Sequence, residues 1–480
     1  MNFSMSRRAF AASAALLPIA CSKAGKATGD ATSEAADQAA APVPINPLVK
    51  QRADPYVLRA EDGWYYMTGS VPEYDRLVLR RSKTVAGLAD AEERVLWRHE
   101  KTGPMSGFLW APELHYVDGR WVIYFAAGPS GGGADVFRIR TYAVVCDGQD
   151  PMAGKWTVLG ELKTPWDSFN LDSTSFHHKG VRYMAWAQRE PGIETNSNLY
   201  LAPMKDALTP AAKAIRLTVP TLDWEIQQYK VAEGPSVIVR NGKVLMTYSA
   251  SGTGAVYCMG LLSADADADL MDPHAWTKSQ KPVFTTNVAT SVYGPGHNSF
   301  TVDEKGRDLL VYHGRDYEKI EGDPLLNPDR HARVQRLYFD EKGAPDFGVP
   351  VGNGPLPERF ISVARPGTYM AHEGSKTVAA KVPLPQTQFR SLDAGDGTVM
   401  LSPILLRDHC LVAKPDGSVA IAPIKATGAQ PGAEKFRRTD AGGGAVRFAT
   451  AGEPAKSVAI APDGLRIDGA KDAASAWKAD

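Results

Sequence analysis

Polar and apolar positions alternate in short runs along most of the chain, and five of those runs share one layout. Each opens with a polar or acidic residue beside Pro or Gly, continues as a short strand, turns at Gly and returns as an aromatic-rich strand. The first runs from Asp54-Pro55-Tyr56-Val57-Leu58 through Asp62-Gly63 to Trp64-Tyr65-Tyr66-Met67. The second links Trp110-Ala111-Pro112-Glu113-Leu114 through Asp118-Gly119 to Trp121-Val122-Ile123-Tyr124-Phe125. The third links Leu171-Asp172-Ser173-Thr174-Ser175-Phe176 through Lys179-Gly180 to Arg182-Tyr183-Met184-Ala185-Trp186. The fourth links Glu233-Gly234-Pro235-Ser236-Val237 through Asn241-Gly242 to Val244-Leu245-Met246-Thr247-Tyr248. The fifth links Gly296-His297-Asn298-Ser299-Phe300 through Lys305-Gly306 to Leu309-Leu310-Val311-Tyr312-His313. Asn-Gly and Asp-Gly between apolar runs are strong hairpin signals. The anchors Asp54, Glu113, Asp172, Glu233 and His297 are separated by 59, 59, 61 and 64 residues. A hairpin and two further strands fill such a period. Five four-stranded units around one axis make an all-β, five-bladed β-propeller, in which each unit buries the face its neighbour leaves open.

In a propeller the starts of the inner strands converge at one end of the central axis. The five anchors are therefore expected in one pocket, although 243 positions separate the first from the last. Glycoside hydrolysis needs one carboxylic acid to protonate the leaving oxygen and a second carboxylate opposite it, which in the inverting form activates water. A third carboxylate nearby would raise the pKa of the acid by like-charge repulsion and keep it protonated near neutral pH.

A second, shorter repeat begins after Phe360. Gln388-Phe389-Arg390-Ser391-Leu392-Asp393-Ala394-Gly395-Asp396-Gly397 matches Lys435-Phe436-Arg437-Arg438-Thr439-Asp440-Ala441-Gly442-Gly443-Gly444, and Ala476-Trp477-Lys478 is a truncated third copy. Spacings of 47 and 41 residues between Phe389, Phe436 and Trp477 suit the three lobes of a β-trefoil.

The N-terminus carries an address. Arg7 and Arg8 precede an apolar run from Ala9 to Ala20, shorter than the ~20 residues a membrane-spanning helix needs. It reads as a signal peptide of the twin-arginine type over residues 1–21, sending the protein to the periplasm or cell surface. Leu17-Pro18-Ile19-Ala20-Cys21 resembles a lipoprotein processing site, so membrane attachment through a lipidated Cys21 and plain cleavage nearby are both open. Residues 22–46, polar and ending in Ala41-Pro42-Val43-Pro44, read as a flexible linker. Residues 47–355 follow as the propeller and 356–480 as the trefoil. The 480 residues exceed the ~250–300 at which one core stops growing, which agrees with two folded parts. Lys plus Arg (54) equals Asp plus Glu (54), which gives no electrostatic reason to expect a nucleic-acid partner. Beyond Cys21 only Cys146, Cys258 and Cys410 remain, too few for a disulfide framework, and they read as small buried hydrophobes.

Arg52-Ala53-Asp54-Pro55-Tyr56, Trp110-Ala111-Pro112-Glu113, Leu171-Asp172-Ser173-Thr174, Ala232-Glu233-Gly234-Pro235 and Gly294-Pro295-Gly296-His297-Asn298 together resemble glycoside hydrolase family 43. The resemblance covers residues about 47–350 and implies inverting enzymes on a five-bladed propeller: arabinofuranosidases, xylosidases and arabinanases. It implies Asp54 as general base, Glu233 as general acid and Asp172 as the residue that tunes and orients Glu233. Glu113 matches a position that is not catalytic in the family and is read as structural. Trp110 and Phe108 are candidate walls for the sugar, Tyr293 a further contact, and Arg333 matches the family's substrate-binding arginine. His297 matches a histidine on the axis that often ligates calcium, so calcium near the axis is a candidate, while no cofactor is required. Phe360-Ile361-Ser362 through Pro366-Gly367-Thr368-Tyr369-Met370-Ala371-His372 resembles the start of the arabinose-binding trefoil of carbohydrate-binding module family 42. That likeness implies His372, and less directly His409, as sugar-binding residues; a purely structural trefoil stays open. The pairing points to arabinose release from arabinan or arabinoxylan-type polysaccharide, with β-xylosidase and endo-arabinanase as alternatives. A surface glycan-binding protein without turnover is the reading from another class, and the acid set argues against it.

Overall fold

The computed structural model describes residues 42–130, 133–424 and 432–480, apart from 453, 463 and 470. The leader and Cys21 lie outside the described residues. Among the described residues, five antiparallel sheets follow one another along the chain. Blade 1 comprises Ala53–Arg59, Tyr65–Ser70, Arg76–Ser82 and Arg94–Arg98; blade 2 comprises Gly107–Val117, Arg120–Gly128, Arg140–Cys146 and Trp156–Glu161. Blade 3 comprises Asn170–His178, Val181–Gln188, Asn198–Pro203 and Ile215–Thr218; blade 4 comprises Ala232–Arg240, Lys243–Ala250, Cys258–Asp265 and Thr277–Lys278. Blade 5 has three strands of its own, Tyr293–Val302, Asp308–Arg315 and His331–Arg336. The first hairpin of every blade closes on a glycine with φ of 73–78° (Gly63, Gly119, Gly180, Gly242 and Gly306). Side-chain-bearing residues take that conformation only under strain, which is why the sequence repeats Gly there.

Hydrophobic clusters fill the space between neighbouring blades. Leu77, Leu79, Ile123 and Phe125 join blades 1 and 2, Tyr124, Met184 and Trp186 join 2 and 3, and Leu199, Leu201, Met246 and Tyr248 join 3 and 4. Leu245, Met259, Leu310 and Tyr312 join 4 and 5. Val57, Tyr65, Met67, Leu309 and Val311 then join blade 5 back to blade 1. The ring is closed in the backbone as well. Val49 bridges Ala332 on the last strand of blade 5, and Leu48 N–H donates to the Ala332 carbonyl at 2.8 Å. Asn46 extends this outer edge with its side chain. Its amide nitrogen donates to Val334 O at 2.8 Å, and its amide oxygen accepts from Val334 N–H at 2.9 Å, as a paired peptide group would. The spacer expected through residue 46 therefore ends earlier, since Ile45–Asn46 form a strand paired with Gly354–Pro355. Side-chain mimicry of a peptide leaves no alternation in the sequence, so the pattern could not reveal it.

Residues 358–480 build a separate twelve-stranded sheet around a second core of Phe360, Phe389, Phe436, Phe448 and Trp477, all fully buried. Its strands pair as successive hairpins, and the first strand, Glu358–Ser362, pairs with the last, Trp477–Ala479. Arg390 donates to Pro355 O and Gly352 O at 3.1 and 3.0 Å, tying this region to the propeller. Cys146, Cys258 and Cys410 are buried free thiols, as their isolation in the sequence suggested.

Asn46→Ala leaves both polar groups of Val334 buried without partners, and should lower unfolding stability by about 2–6 kcal/mol at the ~1–3 kcal/mol cost of each such group. Denaturant melts of the purified protein measure this; a change under 0.5 kcal/mol would contradict the closure described.

Candidate active site

The start of every inner strand carries a β-bulge. Register breaks between Ala53 and Tyr56, Trp110 and Glu113, Leu171 and Thr174, Glu233 and Ser236, and Gly296 and Ser299. Each bulge holds one left-handed residue: Asp54 (φ 50°), Ala111 (46°), Asp172 (53°), Gly234 (54°) and His297 (43°). For a residue with a side chain this conformation costs of order 1–3 kcal/mol, and it persists only where surroundings enforce it. Here the preceding blade does so for four of the five. Ala111 N–H donates to Ser70 Oγ (2.8 Å) and His297 N–H to Ser249 Oγ (2.7 Å). Gly234 N–H donates to Asp172 Oδ2 (3.0 Å). Asp54 N–H donates to His313 Nδ1 (3.1 Å), with blade 5 preceding blade 1.

This register corrects the five-anchor series. Ala111, not Glu113, is the counterpart of Asp54. Glu113 stands two positions further along its strand, level with Tyr56, where its Oε2 lies 2.8 Å from His115 Nε2. Glu233 stands one position before its bulge residue.

The bulges bring Asp54, Asp172 and His297 together, all buried. His297 Nδ1 lies 3.3 Å from Asp54 Oδ1 and 3.7 Å from Asp172 Oδ2. Gly234 packs on the same imidazole: a Cβ there would come within 3.1–3.3 Å of the ring. Glu233, partly buried, accepts a 2.7 Å hydrogen bond at Oε1 from Tyr257 OH. Tyr257 stacks flat on His313, centroids 5.5 Å apart and planes 8° apart. Asp54 Oδ2 accepts from Ser70 Oγ at 2.5 Å, and Arg330 Nη1 lies 3.4 Å from Oδ1.

Electrostatics separates the carboxyls. Burial favours a neutral Asp54, but the charges of Arg330 and His297 outweigh it and hold the carboxyl well below its usual range. Burial, then the charge of Asp172, raises Glu233, against the opposing effect of the Tyr257 hydrogen bond. Burial also raises Asp172, with His297 opposing and Asp54 reinforcing the shift. His297 is disfavoured as a cation by burial, yet Asp172, Asp54 and Glu233 raise its pKa overall. His313 is held neutral, its pKa lowered to about 3 by burial, so its Nδ1 is free to accept the Asp54 N–H.

Of the expected sugar contacts, Trp110 and Phe108 stand edge to face 5.3 Å apart, and Tyr74 meets Trp110 at 5.6 Å. Tyr74 OH accepts from Arg330 Nη2 at 2.8 Å, so this aromatic wall continues from the Asp54 carboxylate. Trp110 Nε1 is buried with no partner among the described residues. Tyr293 opens the inner strand of blade 5, half-buried and opposite Arg315 in the ladder. Arg333 stands apart: it is fully buried, pairs with Asp316 and donates to Gly314 O at 3.3 Å. The guanidinium facing the carboxylates is that of Arg330, three residues earlier and just ahead of the strand. Tyr257, His313 and Arg330 were not singled out in the sequence, although His313 ends the aromatic strand of the fifth repeat. His372 lines a cavity of about 340 Å³ with Gln386, Thr387 and Leu405, and its Nε2 is buried without a partner among the described residues. His409 lies on another hairpin with Nδ1 2.6 Å from Arg407 O.

Around His297, Asp54 and Asp172 are engaged by Arg330, Ser70 and Gly234, and His297 Nδ1 is turned to both carboxylates. Among the described residues no group of three or more His, Cys, Asp or Glu side chains is arranged to hold a metal.

A family model described as glycosyl hydrolases family 43 matches residues 44–345. The chain belongs to that family. This glycoside hydrolase has relatives of similar length. It is 44% identical over 440 residues to the alpha-L-arabinofuranosidase 43 of Humicola insolens, covering 88% of this chain and 90% of that protein. It is 48% identical over 361 residues to an extracellular exo-alpha-(1->5)-L-arabinofuranosidase of Streptomyces avermitilis, covering 74% of each. Among solved structures, an alpha-L-arabinofuranosidase from Lactobacillus brevis is 48% identical with a TM-score of 0.63, covering 65% of this chain and 98% of that one.

Gly234→Ala places a methyl group against the His297 imidazole at a left-handed φ. Displacing the residue next to Glu233 should reduce kcat at least tenfold while the folded protein is retained. Steady-state kinetics with circular dichroism check this; unchanged kcat would contradict the packing argument.

Proposed function

We propose that this family 43 glycoside hydrolase is an exported, inverting, exo-acting α-L-arabinofuranosidase that removes L-arabinofuranose from arabinan or arabinose-substituted polysaccharide. The observation that carries the reading is the gathering of Asp54, Asp172 and His297 on bulged strand starts, with Asp172 tied to the Gly234 N–H beside Glu233; the surroundings push the Asp54 carboxyl below its usual range and the Glu233 carboxyl above it. In this reading Asp54 takes a proton from water as its oxygen bonds to the anomeric carbon. Glu233 gives its proton to the departing oxygen, which keeps the electron pair of the broken C–O bond. Asp172 acts on Glu233 in two ways, by its charge and through the Gly234 N–H it binds. Arg330 and Ser70 keep Asp54 ionised and oriented.

The choice of arabinofuranose over xylose rests on the relatives, two of them named arabinofuranosidases at 44% and 48% identity. Exo action and export are supported by the name of the Streptomyces avermitilis relative and by the Arg7-Arg8 leader. Trp110 and Phe108 supply the wall for the furanose, and the unpartnered Trp110 N–H supplies a donor for a sugar hydroxyl. We read the C-terminal sheet as an arabinose-binding β-trefoil. Its support is the burial of Phe389, Phe436 and Trp477 in one core, the pairing of strands as hairpins, and the cavity at His372 with its free ring nitrogen.

Replacing Asp54 or Glu233 by Ala should lower kcat/KM on arabino-oligosaccharide by about 10³-fold or more with the fold intact. Proton NMR of the first-formed arabinose should show inversion. The wild-type kcat/KM profile should fall on its alkaline side as Glu233, raised to about 8, loses its proton, and that limb should be absent from residual activity of Glu233→Gln. Near-wild-type turnover in either Ala variant, or retention of configuration, would sink the mechanism.

His372→Ala should weaken retention on arabinan in affinity electrophoresis while leaving hydrolysis of a small nitrophenyl arabinofuranoside within twofold of wild type. Unchanged retention would leave the C-terminal region a structural unit.

A further inference from the structure

We infer that Tyr257 is a positioning residue for the acid of this site: its hydroxyl fixes which oxygen of Glu233 carries the transferable proton and stabilises the carboxylate left behind. The inference rests on Glu233 acting as the general acid. Tyr257 precedes the third strand of blade 4 and is 1% exposed. Its hydroxyl donates to Glu233 Oε1 at 2.7 Å. That oxygen already accepts a hydrogen bond, so the proton of the neutral acid resides on Oε2, the oxygen left to face the substrate.

The ring is held in a built slot. A Cβ on Gly296 would come within 2.5–2.6 Å of the Tyr257 ring, so that glycine exists where the ring needs the space. The ring also lies parallel to His313, the ladder partner of Gly296, which accepts the Asp54 N–H. One stacked pair thus touches the acid through a hydroxyl and the base through its backbone. The phenol itself stays protonated, since burial and then the charge of Glu233 push its pKa well above the usual value. It is a donor before and after proton transfer.

The charges around Glu233 come from three other blades: Asp172 from blade 3, Asp54 from blade 1 with Arg330 behind it, and His297 from blade 5. Asp172 and Asp54 favour the protonated acid, and His297 with Tyr257 favour the carboxylate. Without the Tyr257 hydroxyl the balance moves toward the protonated form. The acid is then weaker, and the proton is harder to give to a leaving oxygen that needs it.

The experiment is Tyr257→Phe, which keeps the ring, its stack on His313 and its contact with Gly296. Kinetics are run on an arabinofuranoside with a 2,4-dinitrophenyl leaving group, which departs with little protonation, and on α-1,5-arabinobiose, which needs it. We expect kcat on arabinobiose to fall about tenfold or more and kcat on the dinitrophenyl substrate by less than about threefold, with KM within twofold for both. The alkaline limb of kcat/KM should move up by roughly half a pH unit or more, as expected when a donor to the carboxylate is removed. A loss equal for both leaving groups, or no loss and no shift, overturns the inference. Glu233→Ala in the same series separates the two claims. If its loss also ignores the leaving group, the acid assignment itself is wrong. If its loss tracks the leaving group and that of Tyr257→Phe does not, only the role of Tyr257 fails.

Discussion

The site depends on a backbone conformation that each blade could not hold alone. A left-handed residue at the start of an inner strand is strained, and its N–H points away from its own ladder. Where Ser70, Ser249, Asp172 or His313 of the preceding blade accepts that N–H, the strain is offset and the next side chains are turned toward the axis. The bonds that stitch blade to blade are therefore the same bonds that aim Asp54 and His297 and set the backbone beside Glu233. Ring closure belongs to this scheme. The acceptor for Asp54 lies on blade 5, so Asp54 is positioned only when the Asn46–Val49 edge has joined the last blade to the first.

Much of this was legible in the sequence because the constraint leaves a chemical trace. In four blades the left-handed bulge residue is Asp, Gly or His followed by Pro, Ser or Asn, and in blade 2 it is Ala111 followed by Pro112, so these dipeptides mark a period near sixty residues. The Gly turns mark the hairpins for the same steric reason. What the sequence could not give was register at the level of one or two residues. Pro112-Glu113 and Asp54-Pro55 look like equivalent acids beside proline, yet the left-handed residue of blade 2 is Ala111, and Glu113 falls deeper, against His115. The arginines posed the same problem. Arg330 and Arg333 flank the start of one strand, and only the ladder decides that Arg330 meets Asp54 while Arg333 turns to Asp316. Tyr257 carries no local signal, because its importance comes from a stack with His313, fifty-six positions away.

The electrostatic outcome follows from how unequally the frame serves two similar side chains. Asp54 sits on a bulge and collects a guanidinium, a hydroxyl and an imidazolium-favouring histidine, so ionisation wins despite burial. Glu233 sits one residue ahead of its bulge, with the Tyr257 phenol as donor and Asp172 as a like-charged neighbour. Two carboxyls beside one histidine are thus pushed in opposite directions for positional reasons. His297 is the element both share. It counters the charge of Asp54 and Asp172 together, and its ring abuts Gly234, so any shift of that imidazole changes the surroundings of Asp54 and Glu233 at once. Asp54 and Glu233, tied to one ring and one aromatic stack, cannot be tuned one at a time, and the absence of a side chain at Gly234 and Gly296 follows from that shared packing.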